Sequence, residues 1–187
     1  MAIGNYIKEI GRGKDGARAL NRTQAADLLG QVLDGAVTDL EVGAFCLAMR
    51  IKGETAEEMA GFLDAVRSRM ALLPASDVPV VVIPSYNGAR KLPLLTPLLA
   101  MLLAREGLPV LIHGTATEDK RVFVSEVLAA LDVSAQAAPE KIATGSVAFV
   151  PTGTQLPGQQ RLLEVRRVVN LRNPAHSLVK LMNPVDG

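Results

Sequence analysis

The chain has 187 residues, 49% hydrophobic and 21% charged, which is enough length and apolar content for a real core in one domain or one and a half. Aromatic residues make up only 3%, with no Trp, which argues against a single-strand binder built on stacked aromatic platforms; a net charge of +1 excludes a polycation, so any nucleic-acid role must come from local clustering or dimerisation. The lone Cys46 excludes an internal disulfide, and the longest apolar run, residues 98–104, is far too short to cross a bilayer. With no apolar signal core in the first residues, the expectation is a cytoplasmic protein without a membrane partner.

The first ~70 residues read as helices. A helix over 21–35 is closed by glycine. Thr38 with Glu41, and Thr55 with Glu58, have capping-box spacing, and Gly53 separates the two helices they start. After Thr38, Val42, Phe45, Cys46 and Met49 fall at i, i+3, i+4, i+7, and Ala44, Leu47, Ala48 and Ile51 line a second face. A helix apolar almost all round is buried on two sides, one of them a candidate subunit interface. The helix after Thr55 has one apolar face (Met59, Phe62, Leu63, Val66, Met70), and Glu57, Glu58, Asp64 and Arg67 read as its solvated side. Lys8, Arg12, Lys14, Arg18 and Arg22 form a basic cluster broken by Glu9 and Asp15. The GRGKDG within it lacks a preceding strand and a Gly-Lys-Ser/Thr ending, so it is not a nucleotide loop.

Residues 73–79 are a linker with two prolines. Beyond it the pattern alternates: strand 80–83, expected to be buried on both faces; helix 97–106; strand 110–113; a helix from a Thr117 cap to about 131; loop 134–139; strand 147–150; helix 156–170. Such alternation implies a parallel sheet. The stretch 80–97 is the most informative. Residues 85–91 put a hydroxyl, an amide, a glycine and two cations past the carboxyl end of a strand, where parallel sheets bind ligands. Thr96 is expected as N-cap with Pro97 at the first helical position, a helix start that attracts anions. The expected division is a helical dimerisation domain over 1–73, an incomplete α/β domain over 79–171, and a segment 172–187 returning toward the helices. A sheet of three strands is small for this class, so the chain reads as truncated.

IKEIGRGKDGAR at 7–18, RIKGE at 50–54, IPSYNGARK at 83–91 and LRNPAHSLVKL at 171–181 resemble the anthranilate phosphoribosyltransferase-like family, glycosyltransferase family 3, and within it the YbiB-like DNA-binding branch. The resemblance implies an α/β protein of the class II nucleoside phosphorylase/phosphoribosyltransferase fold: an N-terminal helical domain, an α/β domain with a parallel sheet whose C-terminal part is missing here, and a homodimer formed through the N-terminal helices. In catalytic members a GTGGDG loop wraps the pyrophosphate of the donor. The matching positions here are Pro84, Ser85, Tyr86, Asn87, Gly88 and Ala89, which remove glycines and the acid. The family's KHGN is matched by Ile112, His113, Gly114 and Thr115. The serine of its NIST is matched by Thr96, with Leu94 in place of the asparagine. Arg172 matches the arginine that faces the aromatic acceptor. The family's acidic pair for a second magnesium lies beyond Gly187.

Proline removes an N–H donor and Cβ atoms keep phosphate away from the backbone, so the expectation is a protein without catalytic residues, metal or cofactor. It is expected to bind nucleic acid, DNA with weak sequence preference, through phosphate contacts. The candidate anion-binding residues are Arg90, Lys91, Lys120, Arg121, Arg166, Arg167, Arg172 and Lys180. Lys120 and Arg121 are placed in a first helical turn, behind Glu118 and Asp119. Ser85, Tyr86, Asn87, Gly88, Thr96, His113, Gly114 and Arg172 make up a vestigial substrate pocket. The alternative is a transferase on a phosphoribosyl substrate, with magnesium, keeping Arg172, His113 and Thr96 as pocket residues. No zinc-spaced cluster is present, and Ser85 with His113 lacks a nucleophile elbow.

Overall fold

The computed structural model describes residues 3–186; the side chain of Lys14, in the N-terminal basic cluster, lies outside the described residues. The elements in chain order are α1 (Gly4–Ile10), α2 (Gly13–Gly16), α3 (Arg22–Leu33), α4 (Asp39–Lys52), α5 (Ala56–Arg67), β1 (Val81–Ser85), α6 (Thr96–Arg105), β2 (Val110–Gly114), α7 (Val124–Ala129), β3 (Val147–Pro151), α8 (Thr152–Gln155), α9 (Pro157–Val169) and α10 (Ala175–Leu178). They form two compact units. One holds residues 3–69 with Pro157–Met182, the other Met70–Leu156 with residues 183–186.

In the helical unit the starts are set by reciprocal capping. Thr38 and Glu41, and Thr55 and Glu58, form the boxes their spacing predicts, and Asn21 with Gln24 forms a third. The core gathers Leu28 and Leu29 of α3, Phe45 and Met49 of α4, Phe62 of α5 and Leu162 of α9, all fully buried. Phe45 and Phe62 meet edge to face, with centroids 6.2 Å apart. α3 and α5 approach so closely that a Cβ on Gly61 would strike the Arg22 carbonyl. α9 docks on α3 in the same way, Gly158 lying against the Leu33 carbonyl, which Arg161 Nη2 also reaches at 3.0 Å. The α/β domain was expected to run to 171, but α9 belongs to the helical unit, because its buried Leu162 and Leu163 need an apolar surface and find it there.

Glu58 and the second apolar face of α4 depart from the pattern. Glu58, expected on a wet face, is fully buried. Its carboxylate accepts from Leu20 N and Thr55 N, both at 2.9 Å, and from Lys52 Nζ at 2.7 Å. Burial pushes its pKa up, but Lys52 and the two N–H donors outweigh that and hold it below the usual carboxylate range. On α4, Phe45, Cys46 and Met49 are buried as expected, while Leu47 and Ile51 remain about half exposed and Leu40 almost wholly so.

The other unit carries a three-stranded parallel sheet, order β1-β2-β3, with Ile83, Ile112 and Phe149 level across it. Side chains alternate between two cores. Val110, Ile112 and Phe149 pack under Ala100 and Ala104 of α6 and Val124 and Leu128 of α7; Leu111, Ala148 and Val150 pack on Leu73, Ile142 and Val185. Only the central β2 is buried throughout. β1, expected to be buried on both faces, is an edge strand with Pro84 exposed, which suits a residue without a ladder donor.

Three local features differ from expectation. Strand β1 extends to Ser85, so the loop begins at Tyr86. Thr96 is the first helical residue rather than the cap. Leu95 precedes it with φ −88° and ψ −2°, not extended, and no side chain caps the helix. The helix expected from Thr117 exists only over Val124–Ala129, because residues before it are held in a loop by long-range contacts described below. No helix among the described residues is long and apolar enough to cross a membrane.

Candidate functional site

At the carboxyl ends of the three strands the chain fills its own ligand edge. Tyr86, the first residue past β1, turns inward and is 5% exposed. Its hydroxyl lies 3.0 Å from His113 Nδ1 on β2 and 2.9 Å from Thr152 Oγ1 just past β3, within hydrogen-bonding reach of both. The Tyr86 and His113 rings stand edge to face at 5.6 Å. Both His113 and Thr152 are fully buried. Burial pushes the Tyr86 phenol far above its ordinary value and lowers the His113 imidazole to about 4, so both are neutral near pH 7. Among the described residues His113 Nε2 has no hydrogen-bond partner. The result is a dry, uncharged knot where a pyrophosphate would need N–H donors and cations.

The loop that carries Tyr86 is pinned from residues 117–122. Ala89 and Val122 exchange backbone hydrogen bonds (2.8 and 3.1 Å), Thr117 Oγ1 donates to the Tyr86 carbonyl at 3.2 Å, and Arg121 Nη1 donates to the Gly88 carbonyl at 3.2 Å. These contacts explain why Thr117 caps nothing and why Lys120 and Arg121 sit in a turn rather than a helix. Gly88 is required by this packing, since a Cβ there would come within 2.7 Å of the Val122 carbonyl. Gly114 likewise abuts the Ser85 carbonyl. Of the expected pocket residues, then, Ser85, Tyr86, Gly88, His113 and Gly114 are absorbed into packing. Asn87 is exposed, Thr96 is half-buried in the first turn of α6, and Arg172 lies in the other unit.

The expected cations divide between the units. Arg90, Lys91, Lys120 and Arg121 belong to the α/β unit, Arg166, Arg167, Arg172 and Lys180 to the helical unit. Glu118 sits between the arginines of the first group: Arg90 Nη2 lies 3.4 Å from it, and Arg121 forms a closer ion pair. Lys91 and Lys120 are exposed. The N-terminal cluster is largely neutralised. Arg12 pairs with Glu9 at 2.8 Å, Arg18 reaches the same carboxylate at 3.7 Å, and Arg22 forks onto Asp64.

A second site emerges in the helical unit. A cavity of about 210 Å³ is lined by Arg50 at the end of α4, Glu54 in the following turn, and Arg172, His176 and Lys180 around α10. Among the described residues, no hydrogen bond or ion pair engages the side chain of Arg50, Arg172 or Lys180. His176 Nδ1 lies 3.2 Å from Asn173 Oδ1, and Nε2 has no partner among the described residues. The His176 imidazole is lowered to about 4, first by burial, opposed by the Asn173 backbone, and further by Arg166, Arg172 and Lys180. Sequence reasoning picked out Arg172 and Lys180 but missed Arg50 and His176. The i, i+4 spacing of His176 and Lys180 was the available signal. Among the described residues no group of three His, Cys, Asp or Glu side chains could hold a metal ion.

A helical bundle followed by a parallel three-stranded α/β unit is the architecture of the phosphoribosyltransferase-like fold, and the crystal structure of anthranilate phosphoribosyltransferase from Thermus thermophilus superposes on it with a TM-score of 0.79. That match has 24% identity and covers 96% of this chain and 55% of the other. Residues 5–70 match the helical bundle domain of the glycosyl transferase family. The chain is 41% identical over 190 residues to the uncharacterized protein YbiB of Escherichia coli (strain K12), covering 98% of this chain and 59% of YbiB. It is 30% identical over 173 residues to an anthranilate phosphoribosyltransferase of Methylobacterium radiotolerans, covering 90% and 50% respectively. The chain therefore belongs to the anthranilate phosphoribosyltransferase-like proteins of glycosyltransferase family 3. It spans a little over half the length of the relatives it matches.

Proposed function

We propose that this protein is a non-catalytic homodimer of the phosphoribosyltransferase fold that binds nucleic acid, DNA with weak sequence preference, through its phosphates in the cytoplasm. The observation that carries this reading is Tyr86. It takes a loop position that catalytic relatives are expected to fill with glycine, and its hydroxyl is engaged by His113 and Thr152. A neutral side chain in that place supplies neither the N–H cradle nor the charge that phosphoribosyl transfer demands. The reading therefore needs no cofactor. Cations supply the rest: Lys91, Lys120, Arg172 and Lys180 are exposed, so phosphate can be engaged without breaking internal ion pairs. Arg90, Arg121, Arg166 and Arg167 extend the same surfaces. The exposed Leu40, Leu47 and Ile51 on α4 suit a second copy, which would double each basic cluster.

A second reading is glycosyl transfer from a phosphoribosyl donor with magnesium. It draws on the 30% identity to an anthranilate phosphoribosyltransferase and on Arg172 being retained in a cavity. Binding of a fluorescent single-stranded oligonucleotide across a salt series tests the first reading. The expected result is a linear log–log fall with a slope of about −0.7 per phosphate contacted. Absence of binding at low salt, with turnover of phosphoribosyl pyrophosphate and anthranilate, would replace the first reading by the second.

A further inference from the structure

We infer that the cavity bounded by Arg50, Arg172, His176 and Lys180 is a phosphate site of the helical unit, and that His176 takes up a proton when a phosphate group occupies it. The inference deepens the nucleic-acid reading, on which it rests for the source of the phosphate.

The charge arrangement is the first argument. Three cations line the cavity against one carboxylate, Glu54. Elsewhere in this unit the chain neutralises its arginines with care, Arg22 by Asp64 and Arg69 by Asp34, both bidentate. Arg50, Arg172 and Lys180 have no such partner among the described residues. Like charges gathered around one concavity repel each other, and an anion relieves that repulsion without displacing any internal bond. Arg172 and Arg50 offer forked donors suited to phosphate oxygens, and Lys180 adds a mobile point charge.

His176 is the second argument. It lies within the same wall, held through Nδ1 by Asn173, with Nε2 shielded and without a partner among the described residues. The charges that face it are Arg166 from α9, Arg172 ahead of α10, Lys180 after it, and Arg50 and Glu54 from the end of α4 and its turn. Cys46 on α4 is raised to about 11 by burial and stays neutral. The imidazole is therefore neutral above about 4 chiefly through burial and partly through cations that a bound phosphate would screen. A ligand that raises the proton affinity of His176 is itself bound more tightly when His176 is protonated. Affinity for a phosphodiester then climbs as pH falls through the raised midpoint of the bound state toward about 4, and levels off once the free histidine is charged.

Nuclear magnetic resonance of the His176 ring in the full chain tests this directly. The ring is titrated from neutral pH to about 3 with and without inorganic phosphate, and His113, the other of the two histidines, is the internal control. The expected result is a His176 midpoint raised by about one pH unit by phosphate, with His113 unmoved. Arg172→Ala with Lys180→Ala should abolish the shift, and Lys180→Arg alone should keep it. With the fluorescent single-stranded oligonucleotide, the same double variant should lose affinity and flatten the salt slope by ~0.7 for each phosphate contact removed. His176→Gln should lose the gain in affinity on acidification that the parent shows. A midpoint that ignores phosphate, or a His176→Gln variant that keeps the full acid gain, overturns the inference. Oligonucleotide binding that persists unchanged in the double variant leaves the nucleic-acid reading standing and removes this site from it. A phosphate-shifted midpoint in a chain that binds no oligonucleotide at low salt keeps the site and removes the nucleic-acid reading.

Discussion

His113 and His176 have the same lowered proton affinity, about 4, in two settings that prepare opposite behaviour. At the sheet edge His113 is sealed with Tyr86 and Thr152, all neutral, and burial alone accounts for its shift. Around α10, His176 is lowered first by burial and then by the nearby Arg166, Arg172 and Lys180, in a cavity where three cations face the single carboxylate of Glu54. The first setting is complete without a ligand. The second is left with an excess of positive charge that an anion can complete. A lowered histidine is therefore uninformative until its causes are separated.

The comparison is broken most severely at Tyr86. Tyr86→Ala should empty a buried aromatic site and strip His113 and Thr152 of their partner, costing about 3–5 kcal/mol in a urea unfolding experiment. A loss below about 1 kcal/mol would mean that the edge is open rather than sealed.

Acid should act next most strongly on the sealed side. The His113 imidazole is lowered from 6.5 to about 4 in the folded chain, so the unfolded chain binds the extra proton between those values. The stability this group confers is present above 6.5 and falls progressively as pH drops toward about 4. The expected contribution is ~3 kcal/mol, read as the part of the pH dependence of the urea midpoint that His113→Gln removes, the part due to His176 remaining.

The two basic regions can be ranked. Arg90→Ala with Lys91→Ala should weaken oligonucleotide binding and lower the salt slope by about 0.7–1.4, but less than Arg172→Ala with Lys180→Ala, because Glu118 already answers Arg90. The reverse order would return phosphate binding to the sheet edge. The smallest stability effect is expected at α4. Leu47→Glu should shift the protein to a monomer in light scattering while changing its unfolding free energy by less than about 0.5 kcal/mol, since Leu47 is half exposed. A dimer that survives it, and Ile51→Glu, places the interface elsewhere.

Much of the fold was legible because its signals act within four residues. The Thr38–Glu41 and Thr55–Glu58 boxes, the glycine after α4 and the alternation of apolar runs needed only local chemistry, and they placed α3, α4, α5 and the parallel strands correctly. The substitution of Tyr86 for a small residue could also be read, but not the direction of its ring. That direction depends on His113, 27 residues away, and Thr152, 66 residues away. The burial of Glu58 depends on the Leu20 amide, 38 residues away. The assignment of α9 depends on the Leu33 carbonyl, and the neutralisation of Arg22 on Asp64. Charge was the least legible property. A lysine or arginine looks the same in sequence whether an acid answers it or not, and only the packed chain separates Arg22 and Arg69 from Arg50, Arg172 and Lys180. Helix starts and strand runs are decided by neighbours along the chain. The sealed sheet edge and the cation-lined cavity are decided by neighbours across it, and only the tertiary structure brings those together.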